Sequence, residues 1–237
     1  MTKESDKNST PTIDVIIPAF NEEKSISLVL DDIPKNLVNE VIVVNNASTD
    51  NTMDTARNGG ATVLTEKNQG YGYACLKGID YLKKRSQPPD IVVFIDADYS
   101  DYPEEMPKVV RPIIEDDYDM VIGSRARGER EPGSMMPQQI FGNWLATWLI
   151  KIIYNVTFTD LGPFRAIKFD KLLAINMQDQ TFGWTVEMQV KAIKNRLRYT
   201  EVPVSYRKRV GVSKIAGTVS GSIKAGYKII YTILKYS

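Results

Sequence analysis

Residues Ile91-Val92-Val93-Phe94-Ile95 form an uninterrupted apolar run that stops at two carboxylates, Asp96 and Asp98, with Ala97 between them. A short run of β-branched and aromatic residues bounded by a turn reads as a strand buried on both faces of a parallel sheet. Helices must then cover both faces, which restricts the chain to the layered α/β class. Ligands of such sheets bind beyond the carboxyl ends of the strands, so Asp96 and Asp98 stand at the edge of a site. Two carboxylates there are costly unless something positive lies between them. A hard divalent cation, Mg²⁺ or Mn²⁺, takes one or two carboxylates plus phosphate oxygens, and so suits a nucleotide diphosphate. The same two aspartates could equally cap a helix starting at Pro103-Glu104-Glu105. The rest of the chain decides between these readings.

Up to Gly123 strand and helix patterns alternate. Residues 14–18, 40–44, 61–65 and 118–123 read as further strands. Glu22 to Ile33, a segment opening at Ser48-Thr49-Asp50, Tyr71 to Arg85 and Pro103 to Glu115 read as helices. This alternation predicts βαβ units and a mostly parallel sheet. Arg125 to Pro137 reads as a mobile loop, with no sharp domain boundary. Beyond it, Gln139 to Val156 is an apolar helix whose Trp144 and Trp148 share a face. It could be a core helix or a surface helix resting on lipid or an acceptor. Thr218 to Tyr236 reads as a basic amphipathic helix, with Ile223, Tyr227, Ile230 and Leu234 on one face and Lys224, Lys228 and Lys235 on another. It could pack on the domain or lie on an anionic bilayer.

Composition excludes several chemistries. The 237 residues contain no histidine, which removes Ser-His and Cys-His catalysis and every imidazole metal ligand. Metal binding must rest on carboxylates. The single cysteine, Cys75, cannot form an internal disulfide and suits a reducing compartment. A net charge of +1 gives no case for nucleic acid, yet residues 191–237 carry eleven Lys or Arg against one acid, Glu201. Such a basic end beside an acidic centre suits a phosphate-rich substrate, an anionic membrane surface, or both. Met1 to Pro11 are polar and expected to be disordered. No run reaches the roughly 20 apolar residues of a membrane span. The expected location is cytoplasmic, with peripheral membrane contact open.

Three more loops leave strand ends near the Asp-Ala-Asp turn: Pro18-Ala19-Phe20-Asn21-Glu22, Asn45-Asn46-Ala47-Ser48-Thr49-Asp50 and Lys67-Asn68-Gln69-Gly70-Tyr71-Gly72. Together they can hold a base, a ribose and a diphosphate. In this order and spacing they resemble the nucleotide-binding half of inverting glycosyltransferases of family 2, which have the GT-A fold. The second half extends the likeness to dolichyl-phosphate mannose and glucose synthases. It does so through Gly123-Ser124-Arg125, Asp160-Leu161-Gly162-Pro163-Phe164-Arg165, Glu187-Met188, Glu201-Val202-Pro203-Val204 and Arg207-Lys208-Arg209-Val210-Gly211-Val212-Ser213-Lys214.

The resemblance implies one GT-A domain over 12–237, with 12–123 binding the nucleotide-sugar and 124–237 serving the acceptor. It assigns Pro18, Phe20, Asn21, Glu22, Asn46, Ser48, Lys67 and Gly70 to the donor nucleotide. Asp96, Ala97 and Asp98 go to the ribose and metal, with Asp98 as the main metal ligand. Arg125, Arg165, Arg209 and Lys214 are assigned to donor and acceptor phosphates, which guanidinium forks bind bidentately. The implied reaction moves a hexose, from UDP-glucose first and GDP-mannose second, to a polyprenyl phosphate. The segment Gly133-Ser134-Met135-Met136-Pro137-Gln138-Gln139 departs from the basic residues that the mannose synthases carry there. That keeps a lipid or small-molecule hydroxyl acceptor open, for which Asp160 or Glu187 would be the base. Gly211 to Gly217, with Lys214, reads as a lid. Two other classes remain: a nucleotide-sugar-binding module without turnover, and a sugar-phosphate nucleotidyltransferase. The latter lacks its glycine-rich basic loop after the first strand.

Overall fold

The alternating apolar runs build one seven-stranded sheet, seen in a computed structural model that describes residues 10–211 and 219–236. Its strands are β1 (Ile13–Ala19), β2 (Glu40–Asn46), β3 (Thr62–Glu66), β4 (Ile91–Phe94), β5 (Met120–Ser124), β6 (Arg165–Lys168) and β7 (Tyr199–Pro203). Across the sheet they run β3-β2-β1-β4-β6-β5-β7. Pairing is parallel between β1 and β2, β1 and β4, β2 and β3, and β5 and β7. Strand β6 is antiparallel to both neighbours, aligning Ala166 with Val93 on one side and with Val121 on the other. The sheet is therefore mostly parallel, as the alternation predicts.

The first five strands match the sequence expectation within a residue or two. Strands β6 and β7 were not foreseen, for a physical reason. Strand β6 is four residues with a cation at each end, and β7 is half-exposed along most of its length, so neither forms an apolar run. Helices α1 (Ile26–Asp32), α2 (Thr52–Asn58), α3 (Tyr71–Lys83) and α4 (Met106–Asp116) follow the first four strands. Helices α5 (Pro137–Tyr154), α6 (Phe169–Ala174), α7 (Trp184–Lys194) and α8 (Val219–Lys235) complete the second half. Helix α1 is shorter than predicted, because Glu22 to Ser25 form a turn.

Strand alternation divides the core into two layers. Ile16, Ile42, Val44, Val92 and Phe94 face a cluster with Ala74, Leu82, Ile150 and Trp184. Val15, Ile17, Val43 and Val93 face the opposite cluster, with Val29, Leu30, Val109 and Val110. Each such aliphatic or aromatic side chain contributes about 1.5–3 kcal/mol by leaving water. The rigid sheet that results fixes the carboxyl ends of β1, β2 and β4 side by side.

The tryptophan helix has both an inner and an outer face, and its tryptophans lie on the outer one. Trp144 and Trp148 are 56% and 46% exposed, and their rings stack at 6.2 Å. Phe141 joins them with its centroid 5.8 Å from Trp144. Helix α5 buries Ala146 and Ile150 instead. Helix α8 packs on the domain through Thr232 and Ile233, leaving Tyr227, Tyr231 and Leu234 exposed. The face proposed to be its apolar contact thus points outward at Tyr227 and Leu234. Among the described residues, no helix is long and apolar enough to cross a membrane.

Candidate active site

Three loops at neighbouring strand ends lock onto one another. After β1, the backbone N–H groups of Asn21 and Glu22 donate to Ser48 Oγ at 3.0 Å and Thr52 Oγ1 at 2.7 Å. Asn21 Oδ1 in return accepts from Thr49 N at 2.8 Å. After β2, the Asn46 amide donates to Asn68 O at 2.6 Å and accepts from Gly70 N at 2.7 Å. Ordinary residues take the left-handed backbone region in these loops, at Asn21 (φ 55°), Ala47 (φ 60°) and, after β4, Tyr99 (φ 62°). Such residues are uncommon and gather at functional loops.

The Gly70-x-Gly72 pair serves a close approach of backbone. A Cβ at Gly70 would lie 2.3 Å from Gln180 O, and one at Gly72 only 2.0 Å from Asp179 O. With glycine at both positions, the loop before α7 lies against α3 and delivers Thr181 and Phe182 to the site. The resulting cavity, about 440 Å³, is lined by Pro18, Phe20, Glu22, Asn46, Gly70, Asp96, Ala97, Asp98 and Arg209 among the predicted residues. Gln69 and Tyr71, from the 67–72 loop named in the sequence, also line it, as do Thr181 and Phe182, which were missed. For Thr181 and Phe182 the only signal available was the glycine pair that admits their loop.

The acidic centre is held by the segment after β7. Arg207 N donates to Ser100 O at 2.9 Å and Val210 N to Asp98 O at 3.0 Å. The Arg207 guanidinium lies 3.4 Å from the Tyr99 ring centroid and donates to Tyr99 O and Asp101 O. This stitching sets Arg209 Nη1 2.8 Å from Asp98 Oδ2, while Asp98 Oδ1 accepts from Ser100 N at 2.9 Å. Burial, and then the Asp98 charge, raise the Asp96 carboxyl to about 7 against the pull of Arg209. The Tyr71 hydroxyl also draws it down, yet Asp96 Oδ1 and Tyr71 Oη each lack a partner of good hydrogen-bond geometry. Asp101, missed by the sequence reading, is buried beside them with both oxygens unpartnered. Burial and the Asp96 charge push its carboxyl well up. An unpartnered carboxylate oxygen beside Asp98 is a donor set that suits a hard cation. Among the described residues no three acidic or cysteine side chains converge on one point, so water or phosphate oxygens would complete any such ion's shell.

A second cavity, about 310 Å³, adjoins the first and shares Tyr71, Asp96, Phe182 and Arg209 with it. Arg125 lines it, stacked 5.0 Å from the Tyr206 ring centroid. Its fork is taken up by Asp160, with Nε to Oδ2 at 2.8 Å and Nη2 to Oδ1 at 2.7 Å. Burial raises the Asp160 carboxyl, but the Arg125 charge and hydrogen bonds outweigh it, and the net shift is downward.

The remaining predicted residues stand elsewhere. The fully buried Arg165 spends its guanidinium on backbone carbonyls, Gly162 O at 3.0 Å, Thr185 O at 3.0 Å and Leu161 O at 3.1 Å. That clamps the loop before β6 to the first turn of α7, and Arg165 lines neither cavity. Glu187 accepts from Asp179 N at 2.7 Å and pairs with Lys191 at 2.8 Å, also away from both cavities. Ser48 braces Asn21, and Lys67 is exposed. Lys214 and the expected lid beyond Gly211 lie outside the described residues, as do Met1 to Ser9.

A mostly parallel sheet with a pocket across its strand ends and an acidic turn after a central strand is an α/β architecture with its ligand site at the carboxyl edge of the sheet. The family model described as glycosyl transferase family 2 matches residues 14–175. An undecaprenyl-phosphate mannosyltransferase of Micrococcus luteus is 30% identical over 225 residues, 87% of this chain and 88% of that protein. A UDP-N-acetylglucosamine–dolichyl-phosphate N-acetylglucosaminyltransferase of Methanococcus voltae is 29% identical, over 93% of this chain and 94% of its own. The low-salt glycan biosynthesis hexosyltransferase Agl6 of Haloferax volcanii is 29% identical over 92% of this chain, which spans only 53% of that longer protein. Among solved structures, glucosyl-3-phosphoglycerate synthase from Mycobacterium tuberculosis, in complex with Mn²⁺, UDP and phosphoglyceric acid, superposes with a TM-score of 0.78. That match covers 97% of this chain and 80% of the synthase at 22% identity, which speaks for the fold. The chain belongs to glycosyl transferase family 2.

Proposed function

We propose that this protein is an inverting hexosyltransferase that moves a sugar from a nucleotide-sugar to a polyprenyl phosphate. The observation that carries this reading is the junction of two cavities at Tyr71, Asp96, Phe182 and Arg209. A displacement at an anomeric carbon needs donor and acceptor on opposite sides of one point, and adjoining cavities provide that. The nucleotide fits the larger cavity, with its base near Phe20 and Asn46 and its diphosphate toward Asp98 and Arg209. A divalent cation bound by Asp98 and Asp96 would neutralise charge on the departing nucleoside diphosphate. Arg209 would hold the phosphates from the other side, a preorganised charge where negative charge develops.

The acceptor follows from what the second cavity lacks. A hydroxyl acceptor needs a general base within hydrogen-bond reach, and neither Asp160 nor Glu187 lines that cavity. Asp96 is the only carboxylate among its described lining residues, and it faces the donor side as well. A phosphate is already a nucleophile and needs no base. The guanidiniums that line the cavity are those of Arg125 and Arg209, which are paired with Asp160 and Asp98 and would share their charge with a bound phosphate. The names of the Micrococcus and Methanococcus relatives support this acceptor class.

UDP-glucose is the favoured donor, with GDP-mannose second. Calorimetric titration with each, in Mn²⁺ and in EDTA, tests the choice. Metal-dependent binding of UDP-glucose is expected; binding of GDP-mannose alone would reverse the donor assignment, and binding of neither would count against the donor site itself. A lipid acceptor also calls for peripheral attachment at the cytoplasmic face of a membrane. The exposed rings of α5 and the exposed Lys235 of α8 suit an anionic bilayer. Co-flotation with anionic liposomes at low salt is the expected result, and protein left at the bottom of the gradient would argue against attachment.

A further inference from the structure

Two glycines inside helices have no packing reason to be glycine. Gly142 lies within α5 and Gly226 within α8. Interior glycine weakens a helix relative to alanine. The usual compensation is a backbone approach that no Cβ would allow, as at Gly70 and Gly72. At Gly142 and Gly226, by contrast, an added Cβ would meet nothing within 4 Å. Both glycines line the second cavity. Helices α5 and α8 pack against each other, and Tyr154 Oη donates to Ile233 O at 2.7 Å to join their C-terminal portions. The space kept clear is therefore at the cavity and not along the whole helix pair.

Other features of the same cavity point to a ligand. Trp184 is 1% exposed and lines the cavity, yet its Nε1–H has no partner. The Tyr71 hydroxyl lining it has no partner of good hydrogen-bond geometry, although it lies near enough to Asp96 to draw that carboxyl down. A buried donor left unsatisfied costs stability, so both groups are suited to an acceptor atom of a bound molecule. Arg125 and Arg209 line that end of the cavity, each paired with a carboxylate, Asp160 and Asp98, that a bound anion would have to share. Its other walls include Met135, Leu161 and Ile229, and the exposed Phe141 and Tyr227 are the chain neighbours of the two glycines. With two guanidiniums and two unsatisfied donors at one end and apolar walls at the other, the cavity matches an amphiphile with an anionic head.

We infer that Gly142 and Gly226 are a specificity-determining pair that opens the cavity between α5 and α8, where the apolar tail of a polyprenyl phosphate leaves. The phosphate stays under Arg125 and Arg209, with Tyr71 and Trp184 donating to it. This rests on the acceptor reading given above and adds the path of the tail.

Transfer rates onto a long-chain polyprenyl phosphate and onto a two-isoprene phosphate test it, using wild type, Gly142→Leu and Gly226→Leu. A leucine in the path is expected to cut the long-chain rate about tenfold or more and to change the short-chain rate by less than about twofold. Gly142→Ala and Gly226→Ala should melt at or above the wild-type temperature and shift the same ratio less. They provide the measurement should a leucine variant fail to fold. Equal losses on both acceptors in folded variants, or no loss on either, would overturn the tail path alone. A wild type that transfers to neither acceptor would overturn the acceptor reading and this inference with it.

Discussion

Asp98→Ala is expected to lower sugar transfer by about 10²–10³-fold, the range found when one preorganised charge-stabilising group is removed from an active site. The carboxylate sits where the segment after β7, the acidic turn and the larger cavity meet. It is 2.8 Å from Arg209 and accepts from Ser100 N at 2.9 Å. Asp96 does not duplicate it, because its carboxyl is buried and is raised to about 7 by that burial and by the Asp98 charge. Loss of Asp98 should therefore abolish metal-dependent donor binding as well as turnover. The fold should survive, since Arg209 is partly exposed and can turn to water. The measurement is a Mn²⁺ titration of donor affinity beside the rate of transfer, with melting as control. A variant that still binds donor more tightly with Mn²⁺ than with EDTA would remove Asp98 from the metal site.

The first half of the sheet was readable because each of its strands is an apolar run ended by a polar turn. Sheet geometry then placed Pro18, Phe20, Asn46 and Asp98 together without further information. The rest depended on contacts between distant segments. Nothing local marks Arg165-Ala166-Ile167-Lys168 as a strand; it becomes one because β4 and β5 leave a gap that an antiparallel segment fills. Arg165 itself carries a phosphate-binding side chain in sequence and a backbone clamp in structure. Only the positions of the carbonyls of Gly162, Leu161 and Thr185 reveal the difference. Phe182 entered the site through backbone proximity at Gly70 and Gly72, which sequence registers only as two glycines. Charge type was legible from composition, whereas charge pairing was not. Arg125 and Asp160 are 35 residues apart and form one unit.

That unit supports the last prediction. Asp160→Asn should destabilise the protein by about 3–5 kcal/mol, because breaking a buried ion pair strands the remaining charge. The Asp160 side chain is 1% exposed and that of Arg125 is 11%, so water can do little to compensate. The asparagine keeps an oxygen to accept from Arg125 N, which isolates the loss of charge from the loss of shape. For a chain of this size the melting temperature should fall by roughly 6–20 °C. The pH dependence has a fixed sign. The folded-state pKa of Asp160 is depressed, so its stabilisation is present above the unfolded-state value and is lost as pH falls through the folded one. Wild type and variant should therefore converge in stability in acid and differ most at neutral pH. A base for a hydroxyl acceptor would behave differently, with Asp160→Asn lowering kcat while the melting temperature held. In that case Asp160 would act on the substrate, and the acceptor assignment would pass from phosphate to hydroxyl. Thermal melts at neutral and acidic pH, set beside kcat for the same variant, separate the two roles.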